Sequence, residues 1–469
     1  MDEKKTKLPE MTFGKSVLVV IVLIAIIFSG YVVFNFDTKV IFTLTSVAVG
    51  IMLVTYGFKV DTVVKWFADG GRGAVDVIII LMCVGTVIGT WMASGVVPTI
   101  MYYGLKLLTP TSFMLVGFSL CCIVSFFIGS SYSTLATLGV AFIGIGTGMG
   151  MNINLVAGMV VSGALFGDKM SPFSDTTNLA PAVSGTTVWE HIGSMIYTVT
   201  PALIISFVLY GILGSKYSAS GADLSLAKEM MAAVEASFNP TPILFIVPVM
   251  VLVLALLKIP SVPALLASSA IAIIVGIITQ PFSAVTIINS LGVGFSIDTG
   301  LAELNRLVNR GGIGSMMEVV AWTILTLGMG QMLKDSGVLN AFLSKMLRFI
   351  KKKRDCVLAT LIFSLCTAML TASQYLAIML PGMLMKDTFT KFKLDKKVLS
   401  RTLEDGGTMF SFLIPWDTAG IYTASVLGVA TLSYAPYAFL LILSPIIAAI
   451  YACVGFAQFP AKEEETIEE

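Results

Sequence analysis

The feature that most limits this chain is a succession of apolar runs about 20 residues long, each enough to carry an α-helix across a bilayer. Clear runs fall at 17–35, 39–58, 75–94, 111–128, 195–214, 241–257, 261–279, 317–333 and 436–458. The stretch 281–298 is only moderately apolar and declares itself neither as a crossing nor as a loop. Hydrophobic residues make up 56% of the 469, and charged residues 12%. That charged share is about half of what a soluble domain carries. Disorder, nucleic-acid binding and ordinary soluble enzymes are excluded on this ground. The formal net charge of +1 leaves no long-range field to recruit a charged partner. The partner implied is the lipid bilayer. The expectation is an all-α polytopic membrane protein with about 10–12 transmembrane helices plus broken or re-entrant pieces.

Basic residues in short loops set the orientation. Lys4, Lys5, Lys7 and Lys15, then Lys59, Lys65 and Arg72, flank the first two runs and place the N-terminus in the cytoplasm. The two halves match at an offset of 242 residues. Asp76 pairs with Glu318, Ser94-Gly95-Val96 with Ser336-Gly337-Val338, Ser131 with Ser373, Asp175-Thr176 with Asp417-Thr418, and Ala182 with Ala424. The loop 97–110 falls outside by parity, whereas its partner 339–352 opens the most basic loop of the chain and belongs inside. The two repeats therefore have inverted topology, an architecture of many secondary transporters. The chain divides into a cytoplasmic N-terminus (1–16), a first membrane repeat (17–214), a polar loop and linking helix (215–258), a second, inverted repeat (259–459) and an acidic tail (460–469).

Acidic side chains inside such spans cost roughly 2.5–3.5 kcal/mol on insertion scales and so need a reason. Asp76 and Glu318 begin spans and suit helix N-termini. Glu404 and Asp405 follow a basic loop and are expected to be solvated. Asp175 and Asp417 differ: each follows a proline within three residues, precedes a threonine and lies between apolar segments. Ser171, Ser174, Thr176, Thr177 and Asn178 crowd the first, and Thr418 follows the second. Hard oxygen ligands with a carboxylate suit an alkali cation or a proton. Ser130, Ser131, Ser133, Thr134, Ser373 and Gln374 are placed to complete the shell. Lys169 is expected to pair with Asp168. The arginines Arg72, Arg306, Arg310, Arg348, Arg354 and Arg401 read as interfacial or loop-bound. Cation and proton then compete for one carboxylate, since burial favours its neutral form and a bound cation its ionised form. If only loaded carriers reorient, the result is antiport, with no covalent catalysis and no cofactor.

The run Gly167-Asp168-Lys169-Met170-Ser171-Pro172-Phe173-Ser174-Asp175-Thr176-Thr177-Asn178-Leu179-Ala180-Pro181 resembles the signature of the NhaC-type sodium/proton antiporters. Ser94-Gly95-Val96-Val97-Pro98 and Gly129-Ser130-Ser131 with Thr134 resemble the same family's first half. The resemblance implies a prokaryotic plasma-membrane exchanger of Na+ and H+, multi-pass, with inverted repeats and paired re-entrant hairpins. It implies that Asp168, Ser174, Asp175, Thr176 and Asn178 lie near the ion path. With the residue reading, Na+ ligands are expected at Asp175, Thr176, Asp417 and Thr418, with Ser131 and Ser373 nearby. The family includes a branch resembling malate–lactate exchangers, so small carboxylates stay open as cargo, as does a homodimer. An intramembrane aspartyl protease also needs two membrane aspartates, but its GxGD context is missing, since Ala164-Leu165-Phe166 precedes Gly167-Asp168. A channel would usually show an oligomeric filter in place of two acidic halves.

Overall fold

The computed structural model describes residues 9–34, 36–219, 225–257 and 259–461. Lys4, Lys5 and Lys7 and the acidic tail from 462 onward lie outside the described residues. Among the described residues no strand forms, and an isolated bridge joins Leu394 to Pro460. Hydrocarbon demands this, because each backbone N–H and C=O must find its partner within its own segment.

Among the described residues seven helices are long and apolar enough to cross a membrane: Val75–Ala93, Pro110–Ile128, Ile153–Met170, Val188–Tyr217, Val262–Thr279, Gly312–Asp335 and Lys353–Thr371. Two bent pairs, if each is one span, raise the number to nine: Ser225–Ser237 with Pro242–Leu254, bent by 96°, and Thr431–Tyr437 with Phe439–Val454, bent by 61°. Phe13–Phe28 and Lys39–Thr55 are shorter apolar helices. A π-turn, Ser29–Val33, prolongs the first. The protein is thus a multi-pass membrane protein. The undecided stretch 281–298 forms one helix, Ala284–Val293, of 10 residues, too short to span alone. Between 215 and 240 the chain is mostly helical, through Ala219 and again over Ser225–Ser237.

The element pattern repeats, but the offset is not constant. Val75–Ala93 and Gly312–Asp335 each end on a serine cap, Ser94 and Ser336. Each cap is followed by a left-handed glycine, Gly95 or Gly337, 242 residues apart. Further on, the left-handed residues Gly129 and Ala372, the caps Ser130 and Ser373, and the left-handed glycines Gly185 and Gly428 are all 243 apart. The extra residue lies in the connection after Val338–Met346, where a 3₁₀ turn, Leu347–Phe349, intervenes. Its counterpart Val96–Leu107 needs no such turn. Ser373 therefore corresponds to Ser130, Asp417 to Ser174 and Thr418 to Asp175. This corrects the alignment of the two aspartates.

Val75–Ala93 and Gly312–Asp335 pack antiparallel. A Cβ on Gly89 would stand 2.1 Å from the Ser290 carbonyl and 2.8 Å from the Gly312 nitrogen, and one on Gly85 2.6 Å from the Gly312 carbonyl. At the other end Val77 and Ile80 share a cavity wall with Leu327 and Gln331. Small residues let the backbones approach this closely. Gly89→Leu is expected to destabilise the detergent-solubilised protein by about 3 kcal/mol through overpacking. An unchanged thermal midpoint would show that the contact can yield.

Candidate functional site

Each half contains two chain breaks that cross. In the first half Pro110–Ile128 ends at Gly129 (φ 69°), and the Ser130 hydroxyl then caps the next helix, accepting from the Ser133 N–H at 3.3 Å. The crossing break, Ser171–Ser174, lies between Ile153–Met170 and Asp175–Ser184. A Cβ on Gly129 would sit 2.8 Å from the Phe173 carbonyl carbon, so dihedral and crossing both demand glycine. In the second half Lys353–Thr371 ends at Ala372 (φ 51°), and Ser373 caps Gln374–Lys391. The crossing break precedes Thr418–Leu427, and the Thr418 N–H donates to the Ala372 carbonyl at 3.2 Å.

A cavity of about 610 Å³ opens between the breaks. Its wall includes Tyr132, Asp175, Ser373, Gln374, Tyr375 and Thr418, together with Asp69 and Asp76. Three carboxylates line it and, among the described residues, no lysine or arginine does. Asp175 is exposed to this space, with the Tyr375 hydroxyl donating to it at 3.4 Å. A smaller recess of about 80 Å³ adjoins, bordered by Asp175, Ser174, Thr176, Ser130 and Asp168.

Asp168 is the centre of this recess. It is 6% exposed. The Ser131 hydroxyl donates to its Oδ2 at 2.7 Å and the Ser174 hydroxyl to its Oδ1 at 2.6 Å. Ser174 and Thr176 share a hydrogen bond of 3.1 Å. Thr177 donates to the Asp168 and Lys169 carbonyls, both at 2.9 Å, which pins the end of the long helix. A carboxylate has about four acceptor positions. Two hydroxyls occupy part of that capacity and leave room for a cation or proton on the recess side.

The other expected residues stand differently. The Asn178 amide donates to the Pro172 and Ser174 carbonyls at 2.9 and 2.7 Å and so braces the turn. Asp417 is fully buried, does not line the cavity and caps its own helix, accepting from the Ala419 N–H at 3.0 Å. Its Oδ2 has no hydrogen-bond partner among the described residues. Thr418 reaches the cavity wall where Asp417 does not. Ser131 and Asp168 come together in the first half, whereas Ser373 acts as a cap on the cavity wall.

Three expectations are overturned. Lys169 forms its ion pair with Asp405, not with Asp168, and both side chains are 0% exposed. Glu404 and Asp405 are buried, not solvated. They lie on a π-helical turn, Glu404–Thr408, where one extra residue per turn swings both acids toward the helix packing. Arg401 is buried as well, donating to the carbonyls of Ala457 and Ser194 at 3.1 and 3.5 Å. Both Glu404 oxygens lack a hydrogen-bond partner among the described residues, although the hydroxyls of Thr176 and Thr408 lie beside them. The sequence carries only a faint signal for this: Leu403 precedes Glu404-Asp405-Gly406-Gly407, and Met409-Phe410 follow one residue after it.

Broken helices, an acidic midchain cavity and a hydroxyl-gripped carboxylate define a membrane transporter of the secondary type. A profile of the Na+/H+ antiporter family matches residues 163–456. The chain is 38% identical over 396 residues to a Na+/H+ antiporter NhaC of Alkalihalophilus pseudofirmus, covering 82% of this chain and 84% of that protein. It is 34% identical to a Na+/H+ antiporter NhaC of Bacillus subtilis, covering 98% and 100%. It is 33% identical to a malate-2H+/Na+-lactate antiporter of Bacillus subtilis, covering 96% of each. The chain belongs to the Na+/H+ antiporter family.

Proposed function

We propose that this protein exchanges Na+ for H+ across the plasma membrane by alternating access, with Asp168 as the group that both ions occupy in turn. The observation that carries the reading is the grip of Ser131 and Ser174 on the buried Asp168 carboxylate, beside a cavity whose charged lining groups are the carboxylates of Asp69, Asp76 and Asp175. An uncompensated charge in such a site is costly, so the carboxylate holds either a proton or a cation. Asp175 is the receiving acid on the water side, and Thr176 and Thr418 offer further oxygens. The antiparallel packing of Val75–Ala93 against Gly312–Asp335 supports inverted repeats, and the lysines flanking the first two helices support a cytoplasmic N-terminus.

A second cargo is favoured by one feature. The helices that begin at Gln374 and Thr418 present their N-terminal ends to the cavity, and helix N-termini attract anions. A small carboxylate could dock there, as the name of the malate–lactate relative suggests. Proteoliposomes given Na+, lactate and malate separately distinguish the two. Sodium-driven proton movement in their lumen without organic acid supports the first reading. Exchange that requires lactate or malate supports the second. Asp175→Asn is expected to lower Na+-dependent exchange about tenfold, equal to 1.4 kcal/mol, while the protein stays folded. Unchanged exchange would remove Asp175 from the path.

A further inference from the structure

A second cavity, of about 360 Å³, lies on the other side of the second-half break. Its wall includes Asp37, Lys39, Glu318, Trp322, Pro415 and Ser425. Pro415 borders this cavity and Thr418 borders the first. The four-residue stretch 415–418, with the orphaned Asp417 oxygen inside it, is therefore the partition between them.

The position along one helix is equally telling. In Gly312–Asp335, Glu318 and Trp322 face the second cavity, while Leu327 and Gln331 face the first. Thirteen residues from Glu318 to Gln331 correspond to roughly 20 Å of helix. The cavities thus lie at different depths. Lys39 and Asp37 stand at the start of Thr38–Thr55, whereas Asp69 and Gly73 of the first cavity follow that helix. If Thr38–Thr55 crosses the membrane, the two mouths open to opposite faces.

We infer that the second cavity is the outer vestibule of the exchange path and that the Lys39–Glu318 ion pair is its gate. This rests on the transport reading above. The pair closes at 2.5 Å between Lys39, at the start of Thr38–Thr55, and Glu318, in the second turn of Gly312–Asp335, with side chains 36% and 81% exposed. An ion pair so exposed is screened and contributes little, which suits a contact that opens and closes. In the same wall Trp322 carries a buried indole N–H with no hydrogen-bond partner among the described residues. The wall carries the acids Asp37 and Glu318 and the base Lys39, and the Arg310 guanidinium donates to the Ser425 carbonyl at 3.0 Å.

The test is thiol accessibility. Ser425→Cys and Gly73→Cys are placed separately in a background without Cys366 and Cys453 that still exchanges ions. A Cβ on Gly73 meets nothing within 4 Å, so that variant fits. A membrane-impermeant maleimide is applied to right-side-out and inverted vesicles. The expected result is that Ser425→Cys reacts from the outer face and Gly73→Cys from the inner face. Adding Glu318→Gln is expected to speed labelling of Ser425→Cys about two- to fivefold, the range of a screened ion pair. Both cysteines reacting from one face, or Ser425→Cys inert from either face, would overturn the route. Labelling unaltered by Glu318→Gln would overturn the gate. Two-sided labelling in a protein that moves neither Na+ nor H+ would sink the cargo and leave the route standing.

Discussion

Replacing Lys169 with methionine is expected to destabilise the solubilised protein by about 3–5 kcal/mol, the cost of leaving a buried charge without its partner. Lys169 ends the helix Ile153–Met170 in the first half, and its Nζ reaches the Asp405 carboxylate on the π-turn of the second half. Neither side chain is exposed. The Thr198 hydroxyl also donates to that carboxylate, at 3.1 Å. Without the ammonium, Asp405 and the unpartnered Glu404 would be adjacent acids in a dry interior. The double variant Lys169→Met with Asp405→Leu removes both charges and is expected to recover at least half of the loss, since apolar replacement of a whole buried pair is often neutral. Thermal unfolding in detergent reads both variants. Equal midpoints for wild type and Lys169→Met would show that the pair does not hold the halves together.

Much of this architecture is legible from the sequence, for identifiable reasons. Apolar length reports bilayer thickness directly, so the helices that cross could be placed. Glycine and proline mark the breaks because their backbone limits are local, as at Gly129 and Pro172. The hydroxyls at Ser174 and Thr176 are legible because they lie in one short polar stretch, but the sequence centres them on Asp175, whereas in the fold the hydroxyls of Ser174 and the distant Ser131 donate to Asp168. The pairing of Lys169 is not legible. Its partner is 236 residues away, and Asp168 beside it in sequence points elsewhere on the helix. Adjacent positions on a helix do not face each other. Asp417 misled for a different reason. One residue added after Val338–Met346 shifts the register of the second half. Asp417 then takes the capping place of Ser174, and Thr418 takes the cavity place of Asp175. A one-residue slip of this kind leaves hydropathy unchanged, so only cap geometry reveals it.

Asp168→Asn is expected to abolish sodium-dependent exchange and leave the fold intact. The asparagine side chain has nearly the same shape, and its amide can still bond both Ser131 and Ser174, whose hydroxyls donate or accept. What disappears is the charge. Two unit charges 4 Å apart at an effective dielectric of about 20 interact by about 4 kcal/mol, so cation affinity should fall roughly a thousandfold. Competition offers a second readout. If Na+ and H+ share Asp168, the apparent Na+ affinity of the wild type weakens as pH falls, because protons occupy the carboxylate. In Asp168→Asn, residual Na+ binding should lose that pH dependence. Asp175→Asn should keep the dependence while transporting more slowly, since its carboxylate faces the open cavity and is better screened. Sodium binding by calorimetry at two pH values, with gel filtration as the check on folding, separates the cases. Retained affinity with an unchanged pH profile in Asp168→Asn would move the exchange site away from Asp168, with the orphaned carboxylates Glu404 and Asp417 next in line.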